Sequence, residues 1–177
     1  YEEKDAKQLY ARIMTYFSLI CAGIFLLTGF YMEFLVQMPF IGGKFINPDY
    51  WEGMGIIPII LGGYFFNGIF NVLSAGFNIE KKTDYLPIAV GVAAVVNIGL
   101  NFLLIPIIGY WGAAYATLIA YFISAVLLYY FTKKVYFIKY EFKRLFLIIF
   151  ITLAIYYSFN FITDGLELWL SFALKTA

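Results

Sequence analysis

The sequence contains no histidine and a single cysteine, Cys21. Disulfide frameworks, zinc clusters and paired redox thiols are thereby excluded within the chain. Cys21 itself, set in an apolar stretch, reads as a small hydrophobe. Charge is scarce too: 13% of the 177 residues are charged, against roughly 25% in a soluble domain. The formal net charge of +1 provides no overall field to draw in nucleic acid or acidic partners. No Gly-x-Gly-x-x-Gly or P-loop spacing occurs. Without histidine, a nucleophile would need a serine or threonine with a carboxylate or lysine base. Of the acids, Glu33 lies nearest an apolar interior, at the outer end of the first apolar stretch, and those in the loops are ordinary solvated groups. The expectation is therefore a protein that is not an enzyme, with no catalytic residues, no metal and no cofactor.

What fills the sequence is apolar: 63% hydrophobic and 22% aromatic residues, with a mean hydropathy of +0.84. Crossing about 30 Å of hydrocarbon takes roughly 20 helical residues. Five stretches meet that length, at 9–35, 56–78, 85–108, 110–131 and 145–162, and an incomplete sixth begins at 165. A buried soluble core would instead show amphipathic stripes, each with a polar face, and most of these stretches are apolar all round. The spacing predicts an all-α membrane protein, a polytopic transmembrane helix bundle. Pro58 and Pro87 fall in predicted first turns, where a missing N–H does no harm. Pro106 closes the third stretch, and Pro39 and Pro48 lie in the first connection. Thr83 and Asp84 are the expected N-caps of the third helix. The chain opens on Tyr1-Glu-Glu-Lys-Asp-Ala-Lys7 without an initiator methionine and stops at Ala177 in an apolar run. It is expected to be part of a longer polypeptide.

Orientation follows from the bases. Taking the connections alternately, one side receives Lys4, Lys7, Arg12, Lys81, Lys82, Lys133, Lys134, Lys139, Lys143 and Arg144. Of the 12 basic residues, only Lys44 falls on the other side, with Lys175 in the unfinished sixth span. The positive-inside rule makes the basic side cytoplasmic. Aromatic belts agree: Tyr50, Trp51, Tyr110 and Trp111 mark the outer interface, and Tyr129, Tyr130, Tyr136 and Tyr140 the inner one.

Three groups of residues carry further information. Asn67, Asn71 and Asn78 share one face of the second helix, and Asn97 and Asn101 lie four apart on the third. An amide in hydrocarbon needs a partner or water. These asparagines either bond between helices or line a hydrated cavity, with Asn67, Asn71, Asn97 and Asn101 the cavity candidates. Gly112, Ala116, Ala120 and Ser124 recur every fourth position along the fourth helix, a stripe for close helix packing, and Gly109 precedes them as a turn. Lys133, Lys134, Lys139, Lys143 and Arg144 interleave with aromatics. That pattern suits single-stranded nucleic acid, but between two membrane helices it reads as a cytoplasmic anchor to anionic membrane lipids.

The run from position 97 to 117 reads Asn-Ile-Gly-Leu-Asn-Phe-Leu-Leu-Ile-Pro-Ile-Ile-Gly-Tyr-Trp-Gly-Ala-Ala-Tyr-Ala-Thr. It resembles the signature of polysaccharide-biosynthesis flippases of the multidrug/oligosaccharidyl-lipid/polysaccharide superfamily. There an Asn-x-x-x-Asn helix runs through Leu-Ile-Pro and a tight glycine turn into Gly-Ala-Ala-x-Ala-Thr. Pro48-Asp-Tyr-Trp-Glu-Gly53, the following Ile57-Pro58-Ile59 and Tyr136-Phe-Ile-Lys-Tyr140 are similar to further parts of that family, so the resemblance covers roughly residues 9 to 145. It implies a C-terminal fragment of a two-lobed transporter of about fourteen helices. Residues 1–145 would hold C-terminal-lobe helices and 145–177 the additional terminal ones. The implied activity is translocation of an undecaprenyl-pyrophosphate-linked oligosaccharide across the bacterial inner membrane by alternating access. Its partners would be that lipid-linked glycan, membrane lipids and the missing N-terminal lobe, with no nucleic acid. No base falls at the middle of any span, so the charges that hold the headgroup are expected in that lobe, and Gly109 and Gly112 are expected to act as hinge-turn residues. The alternatives are a cation-coupled multidrug exporter of the same superfamily or a membrane scaffold without cargo.

Overall fold

The computed structural model describes residues 2–37 and 48–163. Five α-helices follow in order: α1 Glu2–Gln37, α2 Ile57–Ile79, α3 Tyr85–Ile108, α4 Tyr110–Val135 and α5 Phe142–Thr163. A 3-10 helix, Pro48–Ile56, leads into α2, and no strand occurs among the described residues. All five α-helices are long and apolar enough to cross a membrane. Val95, Phe102 and Ile107 on α3, and Phe150 and Phe161 on α5, are each more than two-thirds exposed. Exposed apolar faces of this extent call for cover by acyl chains or by further protein. Pro39, Lys44, Asp164, Gly165, Lys175 and the expected sixth span lie outside the described residues.

Three boundaries differ from the sequence reading. α1 starts at Glu2 rather than near residue 9, because Glu, Lys, Ala and Gln are strong helix formers even where hydropathy is low. α4 runs on to Val135, which places Lys133 and Lys134 in its last turn, where the helix dipole favours cations. α5 begins at Phe142, so Lys143 and Arg144 lie in its first turn rather than in a loop. Asp84 does occupy the N-cap position of α3, but its backbone is helical and its side chain makes no capping bond. Pro106 sits inside α3, which continues to Ile108. Its missing N–H takes a donor from the Phe102 carbonyl.

The chain divides into two compact units, Tyr1–Ser18 with Ile59–Glu141, and Leu19–Pro58 with Phe142–Ala177. In the first unit α3 packs along α4. The buried row of α4 is Gly112, Ala116, Ala120, Ser124, Leu128 and Thr132, one residue every fourth position. At Gly112 a Cβ would lie 2.6 Å from the Leu104 carbonyl carbon, so backbone meets backbone there. Gly109 alone joins the two helices, at φ 58° and ψ −137°, a region essentially reserved for glycine. Its N–H donates to the Ile105 carbonyl at 2.9 Å, and the Gly112 N–H donates to the Gly109 carbonyl at 2.9 Å. α2 also approaches α4 closely: a Cβ at Gly63 would lie 3.5 Å from the Leu118 Cα. Met14, Leu73, Phe77, Leu128 and Ile138 are the large apolar side chains fully enclosed in this unit.

The second unit is joined differently. Phe25 and Phe30 of α1 meet Tyr156 and Phe159 of α5, with ring centroids 5.3 Å apart for Phe25–Tyr156 and 4.6 Å for Phe30–Phe159. A Cβ at Gly29 would lie 2.7 Å from the Tyr156 ring.

Candidate functional site

Within the first unit, α2, α3 and α4 line a half-open cavity of about 430 Å³. Its polar lining is Asn67 from α2, Asn97 from α3, and Thr117 and Ser124 from α4. Phe70 and Tyr121 add aromatic surface, and no acidic or basic residue lines it among the described residues. A chain of hydrogen bonds fixes the α3 side. Asn101 Nδ2 donates to Asn97 Oδ1 at 3.0 Å, Asn97 Nδ2 donates to Thr117 Oγ1 at 3.5 Å, and Thr117 Oγ1 donates to the Ala113 carbonyl at 2.9 Å. Asn97 therefore both bonds across to α4 and lines the cavity.

The other candidates are distributed as follows. On α2, Asn71 Nδ2 donates to the Asn67 carbonyl at 3.1 Å and to Asn67 Oδ1 at 3.3 Å. Asn71 is exposed and does not line the cavity, and Asn78 is exposed at the end of α2. Asn101 lies beside a separate, shallower pocket with Ile98, Phe102, Ile105 and Pro106. Its Oδ1 is buried and accepts no hydrogen bond. Gly112 and Ala116 serve the close contact with α3, whereas Ala120 and Ser124 of the same stripe also reach the cavity wall. Thr132 and Thr152 return their hydroxyls to the carbonyl four residues back, the usual solution for a hydroxyl in a membrane helix. Ser124 makes no such bond among the described residues, which leaves its hydroxyl for whatever occupies the cavity. Sequence reasoning assigned Ser124 to packing alone and did not single out Tyr121, since 16 tyrosines give no contrast.

The basic residues gather at one end of this unit. Lys7 Nζ sits 4.6 Å from the Tyr136 ring centroid, Lys133 Nζ 4.8 Å from Tyr129, and Lys134 Nζ 4.8 Å from Tyr130. Tyr85, just after the Lys81–Lys82 turn, packs on Phe131 with ring centroids 5.0 Å apart. The start of α1, the α2–α3 turn and the end of α4 therefore share one end, the arrangement that the positive-inside reading of the connections requires. Burial, with Tyr10, Tyr129 and Tyr136 nearby, pushes the Tyr140 phenol well above its usual range.

Five helices long and apolar enough to span a bilayer, with exposed apolar faces, define a multi-pass membrane protein. Comparison with protein-family models, curated proteins and solved structures finds no match.

Proposed function

We propose that the chain is the C-terminal part of a bacterial inner-membrane transporter that translocates a lipid-linked oligosaccharide for surface polysaccharide assembly. In this reading helices rearrange around the α2–α3–α4 cavity during alternating access, and Gly109 and Gly112 form the tight turn about which α3 and α4 move as a pair. The observation that carries it is the chemistry of the cavity. Asn67, Asn97, Thr117 and Ser124 offer amides and hydroxyls, Phe70 and Tyr121 offer ring faces, and no formal charge is present. That combination suits a neutral polyol, whose hydroxyls bond to amides and whose C–H faces lie on aromatic rings. A cation-coupled exporter would need an intramembrane carboxylate, and none lines this cavity among the described residues. The pyrophosphate would be held by charges elsewhere in the full polypeptide.

Asn97→Leu with Asn101→Leu, and separately Ser124→Ala, test the reading in the full-length protein. Each lost hydrogen bond is worth about 1 kcal/mol, so glycan export is expected to fall roughly fivefold per bond at unchanged membrane abundance. Export that falls only in step with abundance would reduce these residues to structural ones. Undiminished export in both variants would remove the cavity from the transport path.

A further inference from the structure

We propose that residues 136–141, between α4 and α5, form a strap that docks on anionic phospholipid, with Phe137 inserted among the lipids and Lys133, Lys134 and Lys139 binding the phosphates. It rests on the membrane-spanning fold and not on the transport reading.

The strap has the period of an extended chain. Tyr136, Ile138 and Tyr140 are buried, whereas Phe137 is 55% exposed and Lys139 is exposed. A solvated loop has no reason to bury every second residue and present a phenylalanine between them. The inner face is held at both ends. Tyr136 lies under Lys7 and against Gly76, where a Cβ would be 3.1 Å from the ring. At the far end Thr15 Oγ1 donates to Glu141 Oε2 at 3.2 Å. The strap is therefore anchored through its inner face, which leaves Phe137 and Lys139 on the outer one.

Its charge selects the occupant. Lys133 and Lys134 are exposed, and each ammonium rests over the tyrosine one turn before it. The ring holds the ammonium near the level at which interfacial tyrosines sit, and the group keeps N–H donors for a phosphate oxygen. Lys139 adds a third cation beside Phe137. The neighbouring acid, Glu141, is half-buried and takes the Thr15 bond. An apolar ring flanked by ammonium groups, on a segment continuous with a membrane helix, matches the boundary between acyl chains and anionic headgroups. A lysine near such a surface contributes about 1 kcal/mol.

The test places a reporter on the ring. Full-length protein carrying Phe137→Trp is reconstituted in phosphatidylcholine vesicles containing phosphatidylglycerol, with bromine on the upper acyl chain of one lipid or the other. The signal is the tryptophan emission added over the parent protein. The expected result is stronger quenching by brominated phosphatidylglycerol than by brominated phosphatidylcholine. That preference should fall roughly 100-fold when Lys133, Lys134 and Lys139 are all changed to Gln. Equal quenching by the two lipids, or a preference that survives the triple change, would overturn the charge selection. Emission quenched by aqueous iodide but by neither brominated lipid would place the strap in water, against a soluble partner, and overturn the proposal altogether. Glycan export in the same variants reports separately on the transport reading.

Discussion

The two units hold their helices together by opposite means. In the first, α3 and α4 meet through small residues, so closely at Gly112 that backbones touch. In the second, α1 and α5 meet through large rings, with Phe25, Phe30, Tyr156 and Phe159 filling the space between them. Lipid provides no hydrophobic drive for either contact, so both depend on packing and local bonds. They fail differently, however. A backbone cannot swing aside from an added methyl group, and a ring can.

The sharpest break of this comparison is a pair of matched substitutions. An added Cβ would approach within 2.6 Å at Gly112 and 2.7 Å at Gly29. By distance alone the two should cost the same. Because Gly112 meets a carbonyl and Gly29 a ring, Gly112→Ala should destabilise by about 3 kcal/mol and Gly29→Ala by about 1 kcal/mol. Unfolding midpoints in mixed detergent would show the gap, and equal shifts would mean that the backbone contact yields as easily as the ring. Next comes Gly109→Ala, where space is open but φ is 58°. Strain of about 2 kcal/mol is expected there, with the folded helix content retained. Tyr156→Leu removes the ring shared by Phe25 and Phe30 and should cost about 1 kcal/mol, measured in the same unfolding assay. The smallest effect belongs to Asn97→Leu. Its interhelical bond to Thr117 is worth about 0.6 kcal/mol by membrane averages, so a loss of stability several times larger would show that the Asn101–Asn97–Thr117 chain acts as a cooperative unit.

The two contacts were unequally visible in the sequence. A fourfold repeat of small residues from Gly112 to Ser124 stands out because everything near it is larger, and the structure extends the same row through Leu128 to Thr132. Helix existence was legible for a similar reason: lipid leaves the backbone few choices, so hydropathy alone located all five spans. Their basic ends were not, because propensity and dipole extend α1 and α4 past the point where hydropathy falls. The aromatic contact of the second unit gave no signal. With 20 phenylalanines and 16 tyrosines in the chain, nothing in the sequence distinguishes Tyr156 from Tyr157, of which one packs on α1 and the other is exposed. At the cavity, the asparagine spacing pointed to a shared face. Only the packing of α2 and α3 against α4 separates Asn67 and Asn97, which line the cavity, from Asn71 and Asn101, which do not.

The transport reading requires helices that cross the membrane with their basic ends in the cytoplasm. With Cys21→Ser as background, a cysteine is placed at Tyr110, next to the α3–α4 turn, or at Lys139 on the strap, and intact cells are treated with a membrane-impermeant maleimide. The expected result is labelling at position 110 in intact cells and at position 139 only after permeabilisation. Labelling at 139 from outside, or at both positions alike, would contradict the account.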